Sequence, residues 1–109
     1  MRAVLLSAGT MALFYTASAA SALAGEAVQV KINDLAFSPA EVTARVGDTI
    51  QWVNDDIVDH TATATKGGDW DVIIVVGKQA EQQLTGAGEI EYFCRFHPFM
   101  TGKITVLAE

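Results

Sequence analysis

Beyond the first 24 residues, four side chains have the chemistry to hold a soft transition metal, and three of them fall within seven consecutive residues. From residue 25 onward there is one cysteine, Cys94, two histidines, His60 and His97, and one methionine, Met100. The segment Cys94-Arg95-Phe96-His97-Pro98-Phe99-Met100 places a thiol, an imidazole and a thioether at three-residue steps. Taken singly, each has a plainer use: Cys94 as an inert core thiol or half of an intermolecular disulfide, His60 as a surface histidine, Met100 as a core filler. Taken together they match copper, which accepts a trigonal plane of two histidines and a cysteine with a long, weak axial methionine. Thiolate and thioether favour Cu(I), imidazoles tolerate Cu(II), and a compromise geometry lets the ion change charge with little rearrangement. The chemistry expected of such a site is movement of one electron at a time.

The elements that must position these residues are strands. Hydrophobic residues recur with period two at Val28, Val30 and Ile32, at Val42, Ala44 and Val46, at Ile50 and Trp52, at Ile90, Tyr92 and Cys94, and at Ile104 and Val106. Turn chemistry separates them at Asn33-Asp34, Ser38-Pro39, Gly47-Asp48, Lys66-Gly67-Gly68-Asp69 and Gly86-Ala87-Gly88. The apolar run 72–76 (VIIVV) predicts a strand buried on both faces, whereas 80–84 (AEQQL) is ambiguous between strand and helix. Several short strands with frequent turns predict an all-β sandwich, whose loops cluster at its two ends. One end then brings His60, some 34 residues before Cys94, beside the loop that carries the other three ligands. Asn54 shares the inward parity of Ile50 and Trp52, so its amide needs partners inside. It is assigned to hold the Cys94 loop to the His60 loop from behind the ligands. Trp52 and Trp70 are read as packing residues.

Residues 1–24 read as an export signal, with Arg2 at the start, an apolar stretch over 3–15 and Ala22-Leu23-Ala24 before a cut ahead of Gly25. Ser7, Gly9, Thr10, Thr16, Ser18 and Ser21 dilute the stretch below what a retained spanning helix requires, so no stable membrane insertion is expected after cleavage. The expected mature unit, 25–109, carries six basic and thirteen acidic residues, a balance of −7 that argues against nucleic acid as a partner. A lone cysteine in an oxidising compartment forms no internal disulfide, which leaves the thiol free for metal.

The ligand spacing Cys-x-x-His-x-x-Met, with His97-Pro98-Phe99-Met100 at its end, resembles the cupredoxins and, within them, the amicyanins. Gly47-Asp48-Thr49, Trp52-Val53-Asn54, His60 six residues after Asn54, Gly88 with Tyr92-Phe93-Cys94, and Gly102-Lys103 extend the resemblance over roughly residues 28–107. It implies a single-domain Greek-key β-sandwich that binds one copper ion through His60, Cys94, His97 and Met100. It also implies a monomeric periplasmic electron carrier, with an amine dehydrogenase as possible donor and a c-type cytochrome as acceptor. Two segments depart from the pattern: Arg95-Phe96 stands where Thr-Pro is common, and Asp59 where proline often precedes the first histidine. These set a positive and a negative side chain near the metal.

His97 is followed by Pro98-Phe99, so its edge is expected to emerge in an apolar patch that serves as electron exit and docking surface, with Arg95 beside it. An enzyme is not expected, since four protein ligands leave little room for a substrate on the metal. A periplasmic copper carrier is the alternative, although such proteins favour open sites richer in methionine or cysteine than this one.

Overall fold

The computed structural model describes residues 25–66 and 69–108; the expected leader, 1–24, and the Gly67-Gly68 pair lie outside them. Among the described residues every regular element is a strand: β1 Ala27–Asn33, β2 Ala36–Ser38, β3 Glu41–Arg45, β4 Thr49–Asn54, β5 His60–Ala64, β6 Asp71–Ile74, β7 Gln79–Gln83, β8 Gly88–Phe93 and β9 Thr101–Leu107. They form a four-stranded sheet in the order β2-β1-β4-β7 and a five-stranded sheet in the order β3-β9-β8-β5-β6. Both sheets are mixed, since β1 runs parallel to β4 and β3 parallel to β9 while the other pairs are antiparallel. The chain crosses repeatedly between sheets, as a Greek-key sandwich requires.

The period-two pattern is what the sandwich buries. Val30, Ile32, Ile50, Trp52, Ile74, Tyr92, Ile104 and Val106 pack between the sheets, and the intervening polar residues face water. The ambiguous run 80–84 proves to be β7 followed by buried Leu84. The run 72–76 is corrected. It does form a strand, but β6 is the edge of its sheet, and only Ile74 is fully buried while Ile73, Val75 and Val76 are 55%, 46% and 42% exposed. Periodicity cannot tell a doubly covered strand from an apolar edge, because both lack alternation.

Tyr92 anchors the floor beneath the ligand loop. Its ring lies 4.7 Å from that of Phe37 and 5.6 Å from that of Trp52, and Trp52 Nε1 donates to its hydroxyl at 3.2 Å. Burial pushes the phenol up to about 12, the Trp52 hydrogen bond opposing. Directly across the ladder sits Gly102, where a β-carbon would fall within 2.6 Å of Tyr92 Cε1 and Oη. The neighbouring rings leave the phenol nowhere to go. Gly102→Ala is therefore expected to destabilise the fold by about 1–3 kcal/mol, the range for overpacked cores. Urea unfolding with an unchanged midpoint would show that the ring yields.

Candidate metal centre

The three strongest donors arrive from two loops at one end of the sandwich. His60 opens β5 after the connection 55–59, and Cys94 follows the last residue of β8. The loop 94–100 is wound tightly by its own backbone: His97 N donates to Cys94 O at 3.2 Å, Met100 N to His97 O at 2.8 Å, and Cys94 N to Met100 O at 3.1 Å. That winding turns the side chains of Cys94 and His97 toward His60. Cys94 Sγ stands 3.7 Å from His60 Nδ1 and 3.7 Å from His97 Nδ1. One ligand atom from each residue lies within 4.8 Å of the others.

These separations suit a metal. Metal bonds of about 2 Å to nitrogen and slightly more to sulfur span donor separations of this size. The donor set, one thiolate and two imidazoles, fits copper. His60 and Cys94 are fully buried, Met100 is 2% exposed and His97 half-buried, so the site is closed except at one imidazole edge.

The surroundings set the protonation each donor needs. His60 Nε2 meets Asp56 Oδ2 at 2.9 Å; a carboxylate only accepts, so the ring proton sits on Nε2 and the Nδ1 lone pair is left for metal. Asp56 is itself held by peptide N–H groups of Leu35, at 3.0 Å, and Ile57, at 2.9 Å. These donors, the Leu35 peptide first, hold its carboxyl below the ordinary aspartate value. Leu35 occupies the left-handed region, φ 59°, in the turn between β1 and β2. That conformation costs a branched residue about 1–2 kcal/mol, and the bond to Asp56 helps to hold it. Thr61 N donates to Cys94 Sγ at 3.3 Å, a charge-stabilising contact for a thiolate.

Asn54 is buried and inward as its parity predicts, but its bonds differ from those assigned. Its Nδ2 donates to Val58 O and Ile74 O, both at 2.9 Å, and its Oδ1 accepts from Asp56 N at 2.9 Å. It braces the His60 loop against β6, and these contacts use both of its amide N–H donors. The tie between the two ligand loops comes instead from Thr61, whose Oγ1 accepts Arg95 N at 2.8 Å. Asp56 and Thr61 are the residues that sequence reasoning missed: nothing in Asn54-Asp55-Asp56 marks which aspartate turns inward, and Thr61 gains a role only from its place opposite the cysteine.

The two departures from the family pattern are engaged with protein. Asp59 Oδ1 accepts Val76 N at 2.9 Å. Arg95 Nε pairs with Asp71 Oδ1 at 3.0 Å, and its guanidinium lies 5.5 Å from the Phe96 ring centroid. Pro98 and Phe99 are exposed, Phe99 by 68%, with its ring 6.2 Å from that of His97. Leu35, Ile57, Val58 and Val76 are also exposed. They lie on or are hydrogen-bonded to the loop before His60, so the apolar surface at this end is wider than 94–100 alone.

Comparison with known proteins agrees with this geometry. The cupredoxin-like domain model matches residues 5–106. Amicyanin of Paracoccus versutus is 32% identical over 100 residues, spanning 81% of this chain and 70% of the relative. Amicyanin-alpha of Methylorubrum extorquens is 30% identical over 119 residues, spanning 97% and 99%. The crystal structure of the Paracoccus versutus amicyanin superposes with a TM-score of 0.67 at 33% identity, covering 73% of this chain and 80% of that one. The chain belongs to the cupredoxin family, and its cofactor is one copper ion. Within that family its likeness is to the amicyanins, which makes it a type 1 copper electron-transfer protein that works with redox partners.

Asp56→Ala is expected to lower copper affinity about 10–100-fold, the usual cost of losing the carboxylate behind a metal-bound histidine. Asp55→Ala serves as control, because that carboxylate only pairs with exposed Lys31 at 3.5 Å. Equal affinities for both variants in a chelator competition would remove Asp56 from the site.

Proposed function

We propose that His60, Cys94 and His97 would hold copper together with Met100 as the weakest donor, and that the protein shuttles single electrons in a bacterial periplasm. The convergence of one sulfur and two Nδ1 atoms, with His60 Nε2 already committed to Asp56, is the observation that carries this reading. Bound there, copper supplies a reversible one-electron couple. The chain's own residues do the rest. Asp56 and Thr61 fix the imidazole and the sulfur so that neither must move as charge changes. Cys94 and Met100, both buried, keep water from the donors. His97, half-buried, offers its outer edge within the surface formed by Pro98 and Phe99, with Arg95 nearby, where a redox partner makes its closest approach. Three nearly inaccessible ligands suit retention of the ion better than the open site of a copper carrier.

Resemblance to amicyanins supports an amine dehydrogenase as donor and a c-type cytochrome as acceptor, and it supports a monomer. The leader-like composition of 1–24 supports export, with the functional unit at 25–109. Protein recovered from the periplasmic fraction is expected to begin at Gly25, carry one copper and show an intense visible band that one electron bleaches and reoxidation restores. Cys94→Ser should abolish the band. A band that survives that change would overturn the ligand assignment.

A further inference from the structure

Asp71 lies on β6, separated from the donor atoms by two threonines, and it closes a ring of hydrogen bonds. Thr63 Oγ1 donates to Asp71 Oδ1 at 2.6 Å, and Arg95 Nε donates to the same oxygen at 3.0 Å. The hydroxyls of Thr61 and Thr63 are 3.0 Å apart, and Arg95 N donates to Thr61 Oγ1 at 2.8 Å. A carboxylate only accepts, and each hydroxyl has one proton to give. Thr63 gives its proton to Asp71, so it accepts from Thr61, which accepts from the Arg95 peptide. The ring therefore begins and ends on Arg95, whose two N–H groups can only donate, and the acceptor on Asp71 sets the direction of the two hydroxyl bonds between them.

Burial grades along the ring. Thr61 is fully buried and Thr63 half-buried, whereas the Asp71 and Arg95 side chains are 50% and 40% exposed. An ion pair that exposed contributes little by itself. An orphaned hydroxyl at Thr61 is costly, and aligned hydrogen bonds strengthen one another away from water. Thr61 is also the residue whose peptide N–H donates to Cys94 Sγ. The same residue thus grips the peptide after Cys94 with its side chain and the Cys94 sulfur with its backbone.

We propose that Asp71 is a positioning residue for the copper site: through Thr63 and Thr61 it fixes the Arg95 peptide and thereby the N–H bond on the Cys94 sulfur. The inference rests on the copper reading above. Hydrogen bonding around the cysteine sulfur tunes the reduction potential of such sites. An N–H on sulfur favours the form that leaves more negative charge there, the reduced one, so loosening the ring lowers the potential. Thr63 and Asp71 face each other across the β5/β6 ladder; a role confined to that cross-strand pair would change stability and leave the potential where it was.

The test uses the full chain with Asp71→Ala, Thr63→Val and the two combined. Thr63→Val keeps the Arg95–Asp71 pair and so separates the ring from the ion pair. In copper-free protein, amide hydrogen exchange at Thr61 and Arg95 is expected to quicken roughly tenfold in each variant, as those amides lose their fixed acceptors. In copper-loaded protein the potential is expected to fall in both single variants. The double variant should fall no further than the larger single, because a ring opened once is already open. Unchanged exchange and unchanged potential, with only the melting temperature lowered, would overturn the proposal. Wild-type protein without a thiolate band would instead overturn the copper reading, and the exchange measurement would still decide whether Asp71 holds the Arg95 peptide.

Discussion

Gathering a thiol and two imidazoles so that their donor atoms lie within 4.8 Å of one another is the constraint on which this structure turns. Nothing in the donors themselves favours it: their lone pairs repel, and burial strips each of the water that would otherwise solvate it. The sandwich supplies the rigidity. His60 is fixed where it opens β5, and Cys94 where it leaves β8, and these strands are paired through Thr63–Phe93 and Ala64–Tyr92. Beneath them Trp52, Tyr92 and Phe37 form an aromatic floor with little freedom to shift. A donor set held by strands and an aromatic floor changes little when the metal changes charge, which is the requirement for rapid electron transfer.

Polar groups inside such a frame must be satisfied, and here they are spent on the site. The buried polar residues among those described are Asn54, His60 and Thr61. Asn54 shapes the loop that delivers His60, Asp56 selects the tautomer of His60, and Thr61 joins the two ligand loops while donating to the sulfur. Each serves geometry and protonation at once. Their burial is costly when unpaired and rigidifying when complete, which explains why the network is confined to one end of the molecule.

The convergence of His60, Cys94 and His97 was legible in the amino-acid sequence because the inventory is small: one cysteine, two histidines and one methionine after residue 24 leave few ways to build a site. The sandwich was legible because the strands alternate, with Val30, Ile32, Ile50 and Trp52 fully buried. What escaped was side-chain pairing across elements. Inward parity located Asn54 but not its partners, and equal polarity hid the difference between Asp55, paired with a lysine in solvent, and Asp56, turned onto His60. The apolar run 72–76 misled for the opposite reason: composition signalled burial, whereas strand order left β6 at an edge. Arg95 and Asp59 were read as charges near the metal, but their partners, Asp71 and the Val76 peptide, were not legible.

Exposed Phe99, Ile57 and Val58, together with the half-buried His97 edge, make the ligand end the apolar face of an otherwise acidic protein. Desolvation on that face and rigidity behind it both serve a metal centre that need not rearrange. X-ray absorption at the copper edge, recorded on oxidised and reduced protein, tests that claim most directly. The convergence of donors predicts two nitrogen neighbours and one short sulfur contact in both states. Absence of the short sulfur contact, or a different donor set after reduction, would contradict it.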